Sequence, residues 1–563
     1  AANQSRQTVP MINSEKPLVL SGYEGKIGGM VSSKFLKRSE FDGVVEYIDP
    51  NVVIIKDNDG KLHKLDVREE VLKSGSGMDV CVDFDTSDIY VGKKVKKHDI
   101  LAKSCYFKEG LTQGINAKCC YLPIMGYSYE DGIVISESFA KKVATTHSYD
   151  IRLKIDNIDV IKKMPKIGDK FQKGDIIVST LKEMDGLMEF SKTYEEIALG
   201  DSEIIDIKIY PVNREHYDMF VSYTQDPYDI TNGVLKEKGL QSINDPKIVE
   251  KNIGKYTNRG DTLKYTIIDI TVKLILSAEI GDKLTNRHAA KGVITKIYPD
   301  DQMVRTEDGI IMDIAINPLS VTSRMNFGQL HEMTLSKIMQ FARETCGKLL
   351  NEKKIKECRK LVCKLYQVLD NTDGKKYSIQ VIKNINNLPD IEFIEVANQL
   401  SFVAGPFQEP TTQQQIQAME LLGISPRSYM YIPPLGIKTK YPTSWGYMYI
   451  QRLEQISSLK TSSRNVGPYI STTMEPTRGK ARAGGQRVGE MDAWAYLAYD
   501  AKDVIRDLWV VNGDHPEIKK EAILSLQKNG RISYNDLKKN VESGGAKSMY
   551  ECTLLCMGLD PKS

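Results

Sequence analysis

The sequence predicts a mixed α+β chain with several domains. Short β-rich runs separated by glycine turns fill the first part of the chain, and strong helical periodicity appears in two later segments. Glycine-rich, basic connections separate these regular elements. With 563 residues, the chain is long enough for about three to five domains of ~150 residues.

The first β-rich segment covers residues 41–66. Its runs are Val44–Ile48, Val52–Lys56 and Lys61–Leu65, and the sequence DNDG (57–60) separates the last two. An Asp-Gly pair between two such runs predicts a hairpin turn. The acidic residues lack the distal glutamate that an EF-hand calcium loop requires, so the turn is the favoured interpretation.

Residues 91–102 and 167–178 share one pattern. In each, a glycine turn precedes a short apolar pair, a Lys-rich turn follows, and an aspartate then opens an apolar strand. The pattern predicts a β-hairpin that is used twice, because two copies do not make a repeat array.

Apolar residues recur at helical spacing in two later segments, which begin at Asn326 and Asp492. This periodicity predicts a helix in each. The residues that share a face are Leu330, Met333, Ile338, Phe341, Cys346 and Leu349 in the first segment, and Trp494, Leu497, Ala501, Val504, Ile505 and Leu508 in the second.

The composition limits the possible classes of function. A net charge of +3 restricts any nucleic-acid surface to a local patch. The nine cysteines include no CxxC pair, which disfavours structural zinc, and no apolar stretch approaches the ~20 residues of a membrane span. One basic patch contains Arg452, Lys460, Arg464, Arg478, Lys480, Arg482 and Arg487, with only Glu454 and Glu475 between them.

Two neighbouring segments carry the cations that best suit phosphate binding. In GDKLTNRHAAKGV (281–293), Lys283 and Lys291 flank an Arg-His pair, and Arg324 follows in NPLSVTSRMNFGQL (317–330). Gly281 and Gly292 would permit the first segment to fold back on itself. Fixed cations of this kind hold reacting phosphates in line during phosphoryl transfer. From these residues alone, a solvated hairpin with surface lysines is an open alternative.

The complete run from 281 to 332 resembles the second-largest (β) subunit of cellular RNA polymerases. The resemblance implies that Lys283 and Lys291 contact the RNA 3′ end and nearby phosphates, and that Arg324 contacts the phosphates of the incoming nucleotide. Ala289 stands where the family has glycine, so this loop is expected to differ in detail. His288 is expected to be a structural hydrogen-bonding residue rather than an acid–base catalyst.

Four further runs resemble the same family, and two of them lie in the first part of the chain. In PIMGYSYEDGIVISES (123–138), Glu130 and Asp131 could form an ordinary acidic turn, but the resemblance gives them an outer-shell role near the nucleotide-borne magnesium, with no primary metal ligand in this chain. AANQSRQTVP (1–10) resembles a run that lies against the RNA–DNA hybrid. Its implied nucleic-acid-binding residues are Asn3, Arg6 and Gln7.

Residues 445–494 resemble a basic, glycine-rich region of the family that suits contacts to the nucleic-acid backbone. The residues implied there are Arg464, Lys480, Arg482 and Arg487, with a solvated basic face as the alternative. Residues 548–560 resemble the family's C-terminal helix, which docks on the largest subunit.

The resemblance implies the C-terminal half of a bacterial-type β subunit, most like the split β subunits of giant bacteriophage polymerases; a longer parent subunit is the rival. The implied regions are 1–139, the first part of a hybrid-binding barrel region; 140–275, a flap or wall; 276–440, the second part of the hybrid-binding region with the active centre; and 441–563, C-terminal anchor and clamp helices.

The resemblance further implies a DNA-directed RNA polymerase that is active only as a complex. The implied partners are an N-terminal β-like polypeptide, a β′-like subunit that holds the catalytic Mg²⁺, the DNA template, the RNA transcript, nucleoside triphosphates and a promoter-specificity factor at the flap, with no membrane partner. The expected location is the cytoplasm of a bacterial host, with packaging in a virion as a further possibility. The alternative function is a non-catalytic nucleic-acid-binding scaffold that has kept the β fold.

Overall fold

A computed structural model describes most of the chain, in two compact units of residues 1–457 and 458–563. Each unit is described by itself below. The described ranges are 6–30, 35–72, 79–107, 110, 112–155, 159–183, 191–212, 214–216, 229–243, 257–258, 261–262, 265–372, 376–405, 407–464, 467–471, 476–479, 482–508, 516–532 and 545–560.

The N-terminal part of the first unit is built from short strands, with one helix, α1 (Glu24–Met30). The strands are β1 (Val19–Leu20), β2 (Leu36–Arg38), β3 (Gly43–Ile48), β4 (Val52–Asp57), β5 (Leu62–Asp66), β6 (Glu70–Leu72), β7 (Asp79–Val82), β8 (Phe84–Asp85), β9 (Lys94–Val95) and β10 (Ile100–Ser104). The predicted hairpin is confirmed: β4 and β5 pair antiparallel, with Lys56 opposite Leu62. The Asp57 carboxylate accepts the backbone N–H groups of Asp59 and Lys61 and so closes the turn.

The middle of the unit contains a long antiparallel sheet. The elements of this part are β11 (Ile115–Tyr121), β12 (Gly132–Ser136), α2 (Glu137–Lys142), β13 (Thr145–Ile155), β14 (Asp159–Lys163), β15 (Lys170–Phe171), β16 (Ile176–Glu183), β17 (Ser191–Ile197), β18 (Asp201–Tyr210), α3 (Asp229–Glu237), β19 (Thr257–Asn258), β20 (Asp261–Thr262) and β21 (Thr266–Leu276). The strands of the long sheet follow the order β15-β18-β21-β13-β7-β6. Its two longest strands, β13 and β21, pair from Thr145 opposite Leu276 to Ile155 opposite Thr266.

The repeated pattern at 91–102 and 167–178 forms turns, but the hairpin prediction is wrong. In both copies the aspartate carboxylate caps the Lys-rich turn: Asp99 accepts the N–H of Lys96, and Asp175 accepts the N–H of Gln172, each at 2.8 Å. The flanking strands pair elsewhere, since β9 pairs with β3 and β10 with β2 and β8. In the second copy, β15 pairs with β18, and β16 with β14 and β17.

A six-stranded barrel organises the rest of the unit. The remaining strands of the unit are β22 (Lys283–Asn286), β23 (Lys291–Tyr298), β24 (Arg305–Thr306), β25 (Ile314–Ile316), β26 (Phe402–Val403), β27 (Arg427–Ser428), β28 (Met430–Ile432), β29 (Ile437–Lys438) and β30 (Thr443–Arg452). The barrel strands follow the order β11-β25-β12-β23-β22-β30, and β30 pairs back onto β11 to close the barrel. Alternate apolar residues fill its interior, among them Ile115, Ile133, Leu284, Ile294, Ile314 and Ile450.

Helices pack beside the barrel. The helix predicted from Asn326 is confirmed: it is α5 (Gly328–Asn351), and it buries Met333, Ile338 and Cys346. The helices of this layer are α4 (Leu319–Arg324), α5 (Gly328–Asn351), α6 (Ile355–Leu369), α7 (Lys376–Asn387), α8 (Asp390–Asn398) and α9 (Thr412–Leu422). Within the described ranges, every helix falls short of the length and apolarity that a bilayer crossing requires.

The second unit is largely helical. Its helices are α10 (Ser457–Lys460, which starts at the unit boundary), α11 (Glu490–Ala498), α12 (Lys502–Arg506), α13 (Pro516–Asn529) and α14 (Gly545–Cys556). The helix predicted from Asp492 is in fact two helices, because the backbone turns at Asp500, whose φ is 54°. Trp494 and Leu497 on this face are more than half exposed within the unit.

Candidate functional site

The two lysines of the 281–293 segment begin two adjacent barrel strands. Lys283 opens β22 and Lys291 opens β23, and the antiparallel register sets Thr285 opposite Lys291 and Lys283 opposite Val293. The lysines therefore lie diagonally on one face of the ladder, roughly 7 Å apart at Cβ. Since Leu284 between them belongs to the barrel interior, the lysine side chains lie on the outer face.

The two glycines of this segment have different roles. Gly281 has a φ of 96° and makes the turn that the sequence predicted. Gly292 lies within β23, so the prediction that it permits a loop is wrong. A Cβ there would be 2.5 Å from Cδ1 of Ile133 and 2.6 Å from the carbonyl oxygen of Asp131. Gly292 is therefore needed for close packing of β23 against β12.

Arg324 is brought to the same place by the end of α4. Its Nη2 donates to both carboxylate oxygens of Asp131 at 2.6 Å, and its Nη1 lies 3.4 Å from the carbonyl oxygen of Lys291. Glu130, Asp131, Lys291 and Arg324 line one cavity together with residues of the barrel interior, among them Ile133, Leu284 and Ile450. The structure thus gathers four of the five residues predicted to act in catalysis.

The fifth, Lys283, does not line that cavity. Its Nζ donates to Oε1 of Gln455 at 2.6 Å, just beyond the end of β30. Leu453 in between donates its N–H to the carbonyl oxygen of Lys283 at 3.0 Å. Sequence reasoning missed Gln455, because only the pairing of β22 with β30 brings it to the lysine.

A network of buried amides joins the two cation-bearing segments. Asn286 donates to Gln329 at 2.9 Å and accepts the N–H groups of His288 and Ala290. Gln329 donates to Asn326, which in turn donates to the carbonyl oxygen of His288. The loop before Lys291 is therefore fixed to the start of α5. These amides were missed, although polar residues among the apolar positions of α5 were a signal for them.

A buried carboxylate supports this network. Glu332 is 5% exposed, and it pairs with Nη2 of Arg287 at 2.7 Å and with Nε2 of His288. Burial would raise the pKa of Glu332, but the charge of Arg287 and the hydrogen bonds from His288 and Arg287 lower it to about 2. His288 thus lies in the structural position that the sequence predicted for it.

Three residues with a left-handed backbone lie near the cavity residues in the chain. Glu130, Ala289 and Met325 are non-glycine residues with φ values of 48°, 67° and 53°. They lie one or two residues from Asp131, Lys291 and Arg324. The left-handed conformation of Ala289 explains why the resembling family has glycine at that position, and it costs about 1–2 kcal/mol for an L-residue.

The acidic pair does not form a metal site by itself. Both oxygens of Asp131 bind Arg324, and the described residues contain no group of three or more His, Cys, Asp or Glu side chains that could hold a metal ion. In the described structure, Glu130 and Asp131 therefore do not supply the ligand set of a primary magnesium site.

The N-terminal run lies along the chain just after β30, where Leu453 also hydrogen-bonds to Lys283 of β22. The carbonyl oxygen of Gln7 accepts the N–H of Glu454, and Thr8 forms a bridge with Leu453. Arg6 is exposed and Gln7 is half-buried. The third residue predicted here, Asn3, lies outside the described residues.

Arg452 does not belong to the predicted basic patch. Its side chain is 0% exposed and pairs with Asp282 at 2.7 Å, and it also donates to the carbonyl oxygens of Val143, Leu276 and Ser277. Sequence reasoning mistook a buried ion pair for a surface charge, because a count of charges does not register burial.

The other basic residues of the patch lie in the second unit. Arg464 donates to the carbonyl oxygens of Ala483 and Pro468 at 2.7 and 2.8 Å and so holds together the loop that contains it. Arg482 and Arg487 are exposed. Lys480 lies outside the described residues.

Comparison with known proteins gives a consistent result. The family model described as RNA polymerase Rpb2, domain 6, matches residues 39–482. The DNA-directed RNA polymerase subunit beta of Thermus thermophilus is 27% identical over 554 residues, covering 94% of this chain and 46% of that subunit. The subunits of the same name from Prochlorococcus marinus and Spiroplasma citri are 26% and 27% identical and cover 94% and 97% of this chain, and 44% and 38% of their own lengths. The chain spans less than half the length of these curated relatives.

Proposed function

Because this chain belongs to the RNA polymerase Rpb2 domain 6 family, we propose that it is the C-terminal part of the β-type subunit of a DNA-directed RNA polymerase. The matched relatives carry that name, and the match covers 94% of the chain. The barrel strands that carry Lys283 and Lys291, and the helix that ends at Arg324, give this part of the subunit regular elements on which phosphates can be held.

The observation that carries the proposal is the meeting of Arg324, Lys291 and Asp131 at one cavity. These residues come from three separate segments, and hydrogen bonds to the barrel and to α5 hold them in place. In the assembled enzyme, Arg324 binds the phosphates of the incoming nucleotide, while Lys291 and Lys283 bind the RNA 3′ end and its phosphates. Such fixed cations stabilise the charge that develops during nucleotidyl transfer.

Asp131 sets the condition for this step. In the isolated chain, its carboxylate already neutralises Arg324. An incoming triphosphate must therefore bind Arg324 alongside that carboxylate or displace it. An outer-shell role of Glu130 and Asp131 toward magnesium, with the primary ligands on a β′-like partner, is compatible with their exposed positions at the cavity mouth.

The nucleic-acid contacts are assigned to two places. Arg6 and Gln7 lie beside the end of β30, close to Lys283 on the paired strand β22. This position suits a contact with the RNA–DNA hybrid. The exposed Arg482 and Arg487 suit contacts with the nucleic-acid backbone, whereas Arg464 acts mainly by fixing its loop. The partners in this proposal are an N-terminal β-like polypeptide, a β′-like subunit, template, transcript, nucleoside triphosphates and a promoter-specificity factor.

Because the sequence resembles the split β subunits of giant bacteriophage polymerases, we also propose a relationship to them, with action in the cytoplasm of a bacterial host. The intact mass of the native subunit tests this origin. A mass near 63.4 kDa supports a split subunit, and a mass about twice as large shows that the chain is a piece of a longer one.

Elongation by the reconstituted complex tests the active-site assignment. Arg324→Ala is expected to raise the KM for nucleotides about tenfold or more, since a hydrogen bond between charged groups is lost. Lys283→Ala is expected to slow elongation, and Lys97→Ala, an exposed lysine in a remote turn, is the matched control. Normal elongation by both variants in an intact complex would instead support the non-catalytic scaffold.

The purified chain alone is expected to incorporate no labelled nucleotide. Incorporation by the single chain would contradict the division of labour with a β′-like partner.

A further inference from the structure

A three-stranded sheet beside the barrel carries tyrosines and cations on one face. Its strands follow the order β24-β28-β29, and the register sets Arg305, Tyr431 and Lys438 in one row across them. On the opposite face, Met430 and Ile432 are buried in an apolar cluster beneath the sheet. The row that contains Tyr431 therefore lies on the outward face.

The chain that leads into β28 alternates between the two faces. Arg427, Tyr429 and Tyr431 are exposed, whereas Ser428 is half-buried and Met430 is buried. Alternate residues of an extended chain lie about 7 Å apart. One cation and two aromatic rings thus follow one another along the outward face.

Cations on the neighbouring strands contact these rings. Cζ of Arg305 lies 5.4 Å from the centroid of the Tyr431 ring, and Nζ of Lys438 lies 4.4 Å from that of the Tyr429 ring. Lys440 is exposed just beyond the end of β29. Both tyrosines keep 37% of their surface exposed beside these cations, so a flat ligand can still reach the rings.

The outward face has a positive charge. Its four cations are Arg305, Arg427, Lys438 and Lys440. Two acids, Glu307 and Asp308, lie in the turn after β24, and Glu307 pairs with Lys438. Among the described residues, the other three cations form no ion pair with a carboxylate. The face therefore favours an anionic ligand.

Strand β30 separates this face from the candidate active site. Arg427 pairs with Ser444 near the start of β30, whereas Leu453, just after its end, hydrogen-bonds to Lys283. Nine residues of strand span about 30 Å. A nucleotide on the outward face therefore cannot also contact Lys283.

We propose that this face binds single-stranded nucleic acid at a place separate from the candidate active site. Bases stack on Tyr429 and Tyr431, and the phosphates pass along the cations. Stacking on an aromatic ring contributes about 1–3 kcal/mol per base, and the cations add affinity without sequence preference. An acidic polypeptide would match the charge but leave the rings unused. Single-stranded DNA and RNA share the required chemistry.

Photocrosslinking measures binding at this face independently of other sites on the chain. A single-stranded oligonucleotide that contains 5-iodouracil is titrated into the full chain, and tryptic peptides are identified by mass spectrometry. Cleavage after Arg427 and Lys438 releases both tyrosines in one peptide, residues 428–438. We expect saturable crosslinking of this peptide, and the midpoint of the titration gives the Kd of this face. Absence of the crosslink would overturn the proposal.

Competitors separate stacking from charge. An abasic oligomer of the same length keeps the phosphates but lacks the bases, so it should compete about fivefold or more weakly than the unmodified oligonucleotide. Polyglutamate should compete more weakly still. If either competitor matched the oligonucleotide, charge alone would explain binding and the proposal would be wrong.

Two pairs of variants test the assigned contacts. Tyr431→Leu should weaken the Kd, measured from the crosslink at Tyr429, about five- to tenfold, whereas Tyr431→Phe keeps the ring and should bind normally. Lys440→Gln should weaken binding about two- to fivefold and reduce its dependence on salt. Lys360→Gln, an exposed lysine on α6, is the matched control. Equal binding by the two Tyr431 variants would refute stacking.

The assembled polymerase distinguishes the two sources of nucleic acid. When 5-iodouracil is placed in one strand of a transcription complex at a time, a crosslink from the RNA identifies the transcript, and a crosslink from a DNA strand identifies that strand. No crosslink from any strand would overturn the proposal, because the face would then be covered. Nucleotide addition should be normal in Tyr431→Leu, so this proposal and the proposed function can fail separately.

Discussion

Arg324 places one guanidinium nitrogen 2.6 Å from both carboxylate oxygens of Asp131, although 193 residues separate the two in the chain. The side chains are 33% and 50% exposed, so water screens the pair and its net contribution to stability is small. The ion pair is therefore better understood as one that a stronger anion can compete for than as a support for the fold.

Competition for Arg324 predicts a gain of binding when Asp131 is neutralised. Asp131→Asn should bind inorganic triphosphate about two- to fivefold more tightly than the unaltered chain, in proportion to the modest strength of an exposed ion pair. Arg324→Ala should lose most of this binding. Isothermal titration with the full chain measures both, and Asp150→Asn, on the unrelated strand β13, is the control. Weaker binding by Asp131→Asn would show that the carboxylate supports the anion site instead.

Local chemistry made some of the fold and site predictable. The DNDG turn, the turn at Gly281 and the helix of residues 328–351 follow from short-range patterns, and the structure has all three. The errors have a non-local cause. Gly292 is required by Ile133 on the neighbouring strand β12, and Arg452 is buried against Val143, Leu276 and Ser277, none of which is near it in the chain. The pattern at 91–102 predicts its turn but neither the aspartate cap nor the strands with which the flanking strands pair.

The strain at Ala289 predicts an unusual stabilising substitution. Ala289→Gly removes the left-handed strain but adds freedom to the unfolded chain, so the free energy of unfolding should rise by up to about 1 kcal/mol. Ala290→Gly is a matched control in the same loop, where no positive φ occurs, and it should lower that free energy by about 0.5–1 kcal/mol. Urea unfolding of the two variants gives the comparison, and equal effects would contradict the assigned strain.

The buried carboxylate of Glu332 predicts acid sensitivity. Its pKa is about 2 in the folded protein, against 4.5 as its ordinary value. The unfolded chain therefore binds more protons between these values, and the contribution to stability is complete above about pH 4.5 and is lost as the pH falls through about 2. It amounts to about 3 kcal/mol.

Glu332→Gln tests this window. The variant should be less stable than the unaltered chain at pH 7, because the half-buried Arg287 is left without its counter-charge. The difference between the two should shrink as the pH is lowered from about 4.5 toward 2. Glu344→Gln, an exposed glutamate on the same helix, should give a small difference at every pH. Urea unfolding across this range measures the effect, and a gap that is independent of pH would refute the lowered pKa.

Cysteine reactivity offers a test of how the C-terminal helix is used. Cys552 and Cys556 lie one turn apart on α14 and are exposed within the second unit. The buried cysteines are Cys81, Cys119, Cys120, Cys346 and Cys358. A thiol reagent followed by peptide mass spectrometry should label the two exposed thiols rapidly in the isolated chain and the five buried thiols only on unfolding. If α14 docks on a β′-like partner through this apolar face, both rapid sites should become protected in the assembled polymerase. Protection should be lost when the complex is dissociated by high salt or mild denaturant, and labelling that is equally fast in the complex would exclude this helix from the docking surface.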